Sequence, residues 1–328
     1  MKLTVVMSVF NGQRFVEQAV RSVLEQTFAD FDFVAVDNRS TDATWRILQR
    51  LADTDRRLRL VRNDRNGTYV EGRTLGIARA ETDWVALMDA DDVSHPDRLA
   101  RQTAFIQAHG DGLGAVGTWG RYIDEDGKVA GYIQTPLATM DEFRARYERR
   151  DSLVLLDPSA VLHRATFESV GGYRADAVPA ADLDLWYRMA ESGRAVLAVP
   201  EALMDYRVHS GSESATRTML QRRKTHFVNY NMRRRRDGVD EIGWHEFETR
   251  VWARLPYRLP RLRRDLGFTY FKRAAIHFGC GNYARFGATL LLAGVLNPTL
   301  VVRRLSAQIR LRRNLGAAGL AATPWHPP

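Results

Sequence analysis

The sequence predicts an α/β fold with a mostly parallel open sheet, flanking helices and a basic helical C-terminal extension. Short apolar segments alternate with amphipathic stretches of about 10–15 residues through the first 110 residues, which is typical of right-handed βαβ units. Polar residues follow three of these segments, where open α/β sheets bind ligands. Positive charge is concentrated late: residues 221–315 hold 21 lysines and arginines against 6 aspartates and glutamates, although the whole chain has a net charge of only +9.

Composition is that of a folded, soluble protein, with 45% hydrophobic and 27% charged residues in a chain of 328. The single cysteine, Cys280, excludes an internal disulfide framework and fits a reducing compartment. The apolar part of Met1–Ser8 is too short for a signal peptide and is predicted to form the first strand. We therefore expect a cytoplasmic location.

The first half of the chain shows the clearest alternation, with apolar residues such as Phe15, Ala19 and Val23 on one helical face. The strands are predicted at Leu3–Ser8, Asp32–Asp37, Leu58–Arg62 and Trp84–Met88. The helices are predicted at Arg14–Gln26, from Ser40 or Thr41 to about Ala52, and at Tyr69–Ala80.

After Gly110 the pattern becomes less regular, and we predict boundaries between parts of the chain near residues 110, 220 and 315. The later strands are predicted at Ala115–Ile123, Ser159–His163, Ala195–Val199 and Ala202–Val208, with a hairpin turn at Asp124–Gly127. Helices are predicted at Met140–Arg149 and Asp182–Ser192, and throughout much of the chain after Gln221. Residues 316–328 are predicted to be a flexible tail.

The fourth strand ends in three carboxylates, Asp89, Asp91 and Asp92. Negative charges this close repel each other unless a cation joins them, and hard divalent ions such as Mg²⁺ or Mn²⁺ prefer oxygen ligands. Two interpretations fit this local sequence equally well: a metal–diphosphate site, and an acidic turn that caps the helix beginning near Ser94–Pro96. The rest of the chain has to decide between them.

The first two strands also end in polar residues. Ser8–Gly12 turns from strand to helix and exposes backbone groups that suit a planar or phosphate ligand, although turn chemistry alone also explains an Asn-Gly pair. Asp37 can accept hydrogen bonds from a base or ribose, and the alternative is a helix-capping loop that includes Ser40 and Asp42. Because three neighbouring strand ends carry such groups, we favour a ligand site.

These motifs resemble family 2 glycosyltransferases, which have the GT-A fold. The resemblance covers about residues 1–215 with the motifs in the family's order. Its segments are Val6–Asn11, Val36–Asp42, Arg73–Ala78, Leu87–Asp92, Gly171–Tyr173, Ala181–Trp186 and Tyr206–Ser212. The resemblance implies that residues 1–110 bind a nucleotide-sugar, that residues 111–220 bind the acceptor and carry catalysis, and that the enzyme inverts the anomeric centre.

The resemblance also implies roles for individual residues. Asp182 is the expected general base. Asp91 is expected to coordinate the metal on the donor diphosphate, and His209 is expected to reach the metal or the diphosphate. The expected donor contacts are Ser8, Phe10, Asn11, Asp37 at the base, Arg73 beside it, and Asp89 at the ribose. Further candidate contacts are Arg207, Asp92, Asp184 and Trp186; Asp184 is the alternative base, but it faces away from a site that Asp182 faces.

Four positions depart from the family's frequent residues: Asn38, Arg39, Thr74 and Ala181. They affect base recognition and acceptor geometry, and they remove neither the metal ligand nor the base. No Gln-x-x-Arg-Trp pattern of the processive polysaccharide synthases is present, which favours transfer of a single sugar. The expected cofactor is Mn²⁺ or Mg²⁺, and a UDP-sugar is the favoured donor.

The basic block from residue 221 to 315 carries interleaved aromatic residues. Phe286–Val302 lacks charge but is interrupted by Asn297-Pro298 and is short of the roughly 20 apolar residues of a spanning helix. An interfacial helix on the anionic inner face of the cell membrane fits better, together with a carbohydrate or lipid-linked acceptor in cell-surface polysaccharide or glycolipid synthesis. A solvated basic extension packed on the core is the alternative.

Two other functions compete. A nucleotidyltransferase that makes a nucleotide-sugar usually has a Gly-rich, Lys/Arg-bearing loop after the first strand, and Phe10–Arg14 has one glycine. A nucleic-acid-binding protein would use the basic block, but it leaves the acidic strand ends unexplained, since phosphate backbones avoid carboxylates.

Overall fold

The structure is a computed structural model and describes residues 1–209, 211, 216–279 and 282–306. The chain forms two compact units. The first contains Met1–Gly120, Ile133–Ala175 and Ala181–Tyr206. The second contains Arg121–Tyr132, Asp176–Ala180 and the described residues from Arg207 onward. The boundaries predicted near residues 110 and 220 stay predictions, whereas Cys280, Ser212 and the predicted tail 316–328 lie outside the described residues.

A nine-stranded sheet has the order β3-β2-β1-β4-β8-β6-β9-β5, with β7 beside β6. The strands are β1 Leu3–Val9, β2 Phe31–Asp37, β3 Leu58–Arg62, β4 Trp84–Asp89, β5 Val93–Ser94, β6 Leu113–Ile123, β7 Val129–Ile133, β8 Val161–His163 and β9 Ala195–Arg207. β3, β2, β1 and β4 are parallel, while β8 runs antiparallel to both β4 and β6. The predicted α/β class with a parallel sheet and flanking helices is confirmed.

The strands β1, β2 and β4 form because their residues are mostly apolar and buried, as is required when helices cover both faces of a sheet. Val5 and Val6 on β1 are fully buried, as are Ala86 and Leu87 on β4. In this register Ser8 lies opposite Asp89 on one side, and Val9 lies opposite Asp37 on the other. The polar ends of β1, β2 and β4 are therefore neighbours.

The helices of the first unit are α1 Val16–Leu24, α2 Thr44–Ala52, α3 Tyr69–Ala78, α4 Arg98–His109, α5 Met140–Glu148, α6 Arg164–Ser169 and α7 Ala181–Glu191. Thr68 and Glu71 form a capping box that starts α3. α2 begins later than predicted, because the Asp42 carboxylate accepts the backbone N–H of Thr44 at 2.9 Å. The Ser40 hydroxyl instead accepts the N–H of Asn11.

The antiparallel half of the sheet differs most from the sequence prediction. The two strands predicted around residues 195–208 are one continuous strand, β9, in which the exposed Pro200 and Glu201 remain extended. β5 was not predicted, because only its pairing with β9 makes Val93–Ser94 a strand. Ser159 belongs to a 3₁₀ turn, Asp157–Ser159, that precedes β8.

The second unit contains the predicted hairpin turn, in which Gly127 has a φ of 84°. Its helices among the described residues are α8 Thr218–Arg236, the short α9 Trp244–Glu246, α10 Leu255–Gly279, α11 Tyr283–Leu296 and α12 Pro298–Ser306. A π-helical turn at Phe247–Trp252 follows α9. Asp265 is buried on α10, where it accepts hydrogen bonds from Arg222 and His226 of α8, both at 2.8 Å. Among the described helices none alone is long and apolar enough to cross a membrane; α11 and α12 together meet the length and composition criteria, but they are bent by 118°.

Candidate active site

The site is built where the ends of β1, β2 and β4 meet. The Asn38 side chain, just after β2, donates to the Ser8 hydroxyl at 2.9 Å. The side chain of Asn63, after β3, donates to the side-chain oxygen Oδ1 of Asn38 at 3.2 Å. This chain of hydrogen bonds fixes the edge of the sheet on which a ligand would rest.

The loops after β1 and β2 are tied to each other. Asn11 adopts a left-handed backbone with a φ of 48°, and its side-chain oxygen accepts the Thr41 N–H at 2.8 Å. Phe10, immediately before it, leaves 45% of its surface exposed at the sheet edge. An exposed aromatic ring held by a rigid loop offers a face on which a base could stack.

Asp37 is fully buried at the end of β2. Its carboxylate accepts the N–H of Ser40 at 3.2 Å and lies 3.3 Å from Nε of Arg62. A buried carboxylate with these partners is rigidly held, and it orders the loop that carries Asn38.

Helix α3 crosses close above the ends of β1 and β2. A Cβ atom at Gly72 would lie 2.2 Å from Oγ of Ser8 and 2.7 Å from Nδ2 of Asn38, so only glycine permits this approach. The close approach places the next residue, Arg73, against the carboxylates of the site.

Three carboxylates cluster at the end of β4. One oxygen each from Asp89, Asp91 and Asp92 lies within 4.8 Å of the others. Carboxylate oxygens at this mutual spacing suit a hard divalent cation, which would also relieve their repulsion. The donor set therefore fits Mg²⁺ or Mn²⁺.

Arg73 lies between two carboxylates. Its Nη2 donates to Asp89 at 2.6 Å, and its Nη1 donates to Asp157. Arg73 is almost completely buried, whereas the Asp89 side chain keeps 33% of its surface exposed. Desolvation raises the pKa of Asp89 to about 6; the Arg73 charge opposes this rise, and the charges of Asp91 and Asp157 add to it.

Asp182 lies in the first turn of α7, which begins at Ala181, one residue before the predicted start of this helix. Burial raises the pKa of its carboxyl to about 7, with the Asp157 charge as the next cause, while backbone N–H groups at the helix start and the Arg73 charge lower it. A half-buried carboxyl with a pKa near neutrality is suited to accept a proton.

Several other predicted residues are interior groups. Asp184 is buried and paired with Arg188 at 2.8 Å, and Trp186 is fully buried, so a ligand would reach neither of them in this conformation. Asp92 is also buried, and its charge acts on the buried Arg98 guanidinium. The contacts that the resemblance implies for Asp184 and Trp186 stay predictions.

Two predicted residues belong to the second unit. Arg207 is buried and donates to the carbonyl oxygens of Asp124 and Glu125 at 2.9 and 3.1 Å, so it braces the hairpin turn. His209 is half-buried. The roles in ligand binding that the resemblance implies for both residues stay predictions.

Sequence reasoning missed Asp157, Tyr69 and Tyr173. The charge of Asp182 acts on both tyrosines, and Asp157 acts on Asp182, so these side chains share one environment. Asp157 sits in a turn between a loop and a short strand, and no local pattern distinguishes it from a turn aspartate. Only the Arg73 contact, across 84 positions in the sequence, reveals it.

Comparison with known proteins agrees with this geometry. The family model of glycosyl transferase family 2 matches residues 4–171, which is just over half of the chain. The chain belongs to glycosyl transferase family 2. EpsE of Bacillus subtilis, described as a glycosyltransferase, is 28% identical over 219 residues that cover 66% of this chain and 76% of EpsE.

Solved structures support the same fold for this family 2 glycosyltransferase. The mannosyltransferase PcManGT of Pyrobaculum calidifontis, in complex with GDP-Man and Mn²⁺, aligns with a TM-score of 0.57 at 19% identity, covering 91% of this chain and 87% of PcManGT. Residues 1–349 of S. aureus TarS, in complex with UDP, align with a TM-score of 0.54 at 17% identity, covering 88% and 90% of the two chains. These similarities confirm the GT-A type of fold.

Proposed function

We propose that this family 2 glycosyltransferase moves a single sugar, with inversion and with the help of a divalent cation, from a nucleoside-diphosphate sugar to an acceptor hydroxyl. The observation that carries the proposal is the carboxylate cluster at Asp89, Asp91 and Asp92, in the same compact unit as the raised-pKa carboxyl of Asp182. A cation-binding cluster and a proton acceptor are the two groups that such a transfer requires.

The donor nucleotide would lie along the ends of β1, β2 and β4. Phe10 would stack on the base, Asp37 would hold the loop that recognises it, and Ser8 and Asn11 would contact the nucleotide. Asp89, positioned by Arg73, would accept hydrogen bonds from the ribose. TarS was solved with UDP and with UDP-GlcNAc, and PcManGT with GDP-Man, which supports a nucleotide-sugar donor; we favour uridine.

Asp91 would hold the cation, and the resemblance implies His209 as a further ligand. When bound, the cation would neutralise charge that develops on the departing diphosphate. Asp182 would accept the proton of the acceptor hydroxyl while the hydroxyl oxygen bonds to the anomeric carbon and the bond to the diphosphate breaks. A single displacement of this kind inverts the anomeric centre.

The acceptor is proposed to be a carbohydrate or a lipid-linked sugar in cell-surface polysaccharide or glycolipid synthesis. Two relatives support this pathway: TuaG of Bacillus subtilis, described as a teichuronic acid biosynthesis glycosyltransferase, and ExoO of Rhizobium meliloti, described as a succinoglycan biosynthesis protein. They are 32% and 34% identical over about a third of this chain.

We further propose that the enzyme works in the cytoplasm, peripherally on the inner face of the cell membrane. Leu291 and Val295, one turn apart on α11, leave 70% and 68% of their surfaces exposed, and Tyr283 leaves 67% exposed. The sequence contains no aspartate or glutamate after Asp265 but continues to carry arginines, so this stretch of the sequence has a net positive charge. Exposed apolar side chains beside net positive charge match an anionic bilayer surface.

The donor is tested with a panel of UDP-glucose, UDP-galactose, UDP-GlcNAc, UDP-glucuronic acid and GDP-mannose, each with Mn²⁺ or Mg²⁺. We expect one donor to raise the melting temperature and to release its nucleoside diphosphate, and EDTA to abolish both effects. Binding that is equally tight without metal would contradict the proposal. Release of pyrophosphate from a nucleoside triphosphate and a sugar phosphate would favour the nucleotidyltransferase, and a salt-dependent gel shift of duplex DNA would favour nucleic-acid binding.

A further inference from the structure

Arg73 connects the donor side of the proposed site to a residue that the resemblance does not assign. The buried guanidinium donates to Asp89 with Nη2 and to Asp157 with Nη1. A buried guanidinium is stable only when carboxylates compensate its charge, and Asp89 and Asp157 share that role here. Asp157 is therefore attached to the site through a rigid ionic contact.

The turn that carries Asp157 is itself held firmly against β4. The buried Arg98 donates to the carbonyl oxygens of Leu87, on β4, and of Pro158, at 3.2 and 3.0 Å. Gln102 donates to the carbonyl oxygen of Ser159 at 2.8 Å. Because α4 anchors the turn at two successive residues, the Asp157 carboxylate has one defined position.

Only one oxygen of Asp157 has a partner within the described chain. Oδ2 accepts from Arg73, whereas Oδ1 is buried and receives no hydrogen bond from any described residue. The side chain as a whole is 14% exposed, so part of it borders an accessible space beside the buried Oδ1. A buried carboxylate oxygen without a donor is costly, and a ligand hydroxyl would relieve that cost.

The neighbours of Asp157 define which ligand group reaches it. Asp157 exerts the largest charge effect of any side chain on Asp182, and it also acts on Asp89. During the proposed transfer the sugar lies between the diphosphate, on the side of Asp89 and Asp91, and the acceptor hydroxyl at Asp182. A carboxylate whose charge acts on both ends would face the sugar ring.

We infer that Asp157 is a donor-sugar-binding residue, whose Oδ1 accepts a hydrogen bond from a hydroxyl of the transferred sugar. The inference rests on the proposed function and specifies its substrate class. Since Asp157, Asp182 and Asp89 make this wall acidic, a sugar without a negative charge is favoured, and a uronic acid with its own carboxylate is disfavoured.

The test compares the binding of UDP, or of GDP if the panel selects GDP-mannose, with that of the complete donor that the panel identifies. In Asp157→Asn, with Mn²⁺ present, we expect the Kd of the complete donor to rise about tenfold or more, because a hydrogen bond to a charged acceptor is lost. The Kd of the nucleoside diphosphate is expected to stay within about twofold. Asp126→Asn, which removes an exposed aspartate of the hairpin turn, serves as the control and should change neither value.

Monodeoxy analogues of the donor separate direct contact from a structural effect. The wild-type protein should bind one of these analogues about tenfold more weakly, and Asp157→Asn should not discriminate against that same analogue. Equal weakening of the nucleoside diphosphate and the complete donor in Asp157→Asn would overturn the inference, since Asp157 would then act only by holding Arg73. The inference would also be overturned if Asp157→Asn bound the complete donor as tightly as the wild type does, or if the panel selected UDP-glucuronic acid. Either result would leave the proposed function intact. A wild-type protein that binds no nucleotide-sugar would refute the proposed function itself.

Discussion

Asp182→Asn separates the chemical role of this carboxylate from its effect on stability. The asparagine has nearly the same shape, but it neither ionises nor accepts a proton. If Asp182 is the general base, kcat should fall by about 10²–10⁴-fold while the Kd of the nucleotide-sugar stays close to that of the wild type. Isothermal titration for binding and release of the nucleoside diphosphate for turnover measure the two quantities.

The pKa of Asp182 sets the pH dependence of the wild-type enzyme. Burial, followed by the Asp157 charge, raises this pKa to about 7. About a tenth of the carboxyl is then ionised at pH 6 and about nine-tenths at pH 8. Because only the ionised form accepts a proton, kcat/KM should fall about tenfold for each pH unit below 7 and level off above it.

The same pKa predicts the opposite effect on stability. Since the folded-state pKa lies above the ordinary value of 3.8, the folded protein binds this proton more tightly than the unfolded chain does. The resulting stabilisation is complete below pH 3.8 and is lost as the pH rises towards 7. Its upper limit is about 4 kcal/mol, and a residual exposure of the side chain reduces it to between about 1 and 3 kcal/mol.

Asparagine does not ionise, so Asp182→Asn does not lose stability as the pH rises through 7. Its free energy of unfolding should therefore exceed that of the wild type at pH 8 by about 1–3 kcal/mol, and this difference should shrink towards pH 5. Urea denaturation at pH 5, 6.5 and 8 measures the difference. A stability difference that does not depend on pH, or a variant that retains full kcat at pH 8, would refute the assignment of a raised pKa and a basic role to Asp182.

Three further predictions concern other parts of the chain. Gly72→Ala should weaken nucleotide binding by more than about tenfold, because the added Cβ would collide with Ser8 and Asn38. Gly76→Ala is the control: its Cβ would meet the side chains of Val6 and Val36, so it should lower the melting temperature and leave the Kd of the donor unchanged. Asp91→Asn should abolish the Mn²⁺ dependence of the thermal shift produced by the donor, and an unchanged metal titration would count against the proposed cation site. The double variant Leu291→Glu, Val295→Glu should not float with phosphatidylglycerol vesicles at low salt. The wild type and the control Val239→Glu, which changes another exposed residue, should float with these vesicles and should not float with phosphatidylcholine vesicles.

Much of the parallel half of the fold could be predicted from the sequence. Strands such as the one predicted at Trp84–Met88 were predicted within a residue of their observed bounds, because a strand buried on both faces appears as a continuous apolar run between turns. The antiparallel half was less predictable. β5 is two residues long and depends entirely on its partner β9, so it leaves no local pattern.

The site shows the same division. The sequence pointed to Asp37, Asp89, Asp91 and Asp182 because polar residues at strand ends and at a helix start carry a local pattern, and because motifs resembling a known family occur in order. It also suggested Trp186 as a contact, and the structure buries that ring completely, since the facing side of α7 is decided by packing.

The sequence by itself determined that an α/β sheet brings acidic strand ends to one edge, because periodicity and strand order follow from local patterns and the parallel connections they require. Only the tertiary structure decided which carboxylates share an environment. The pairing of Arg73 with Asp157 as well as with Asp89 depends on a turn brought from a distant part of the chain and anchored by Arg98. The raised pKa of Asp182 has the same origin, because burial and the charge of Asp157 exist only once the chain has folded.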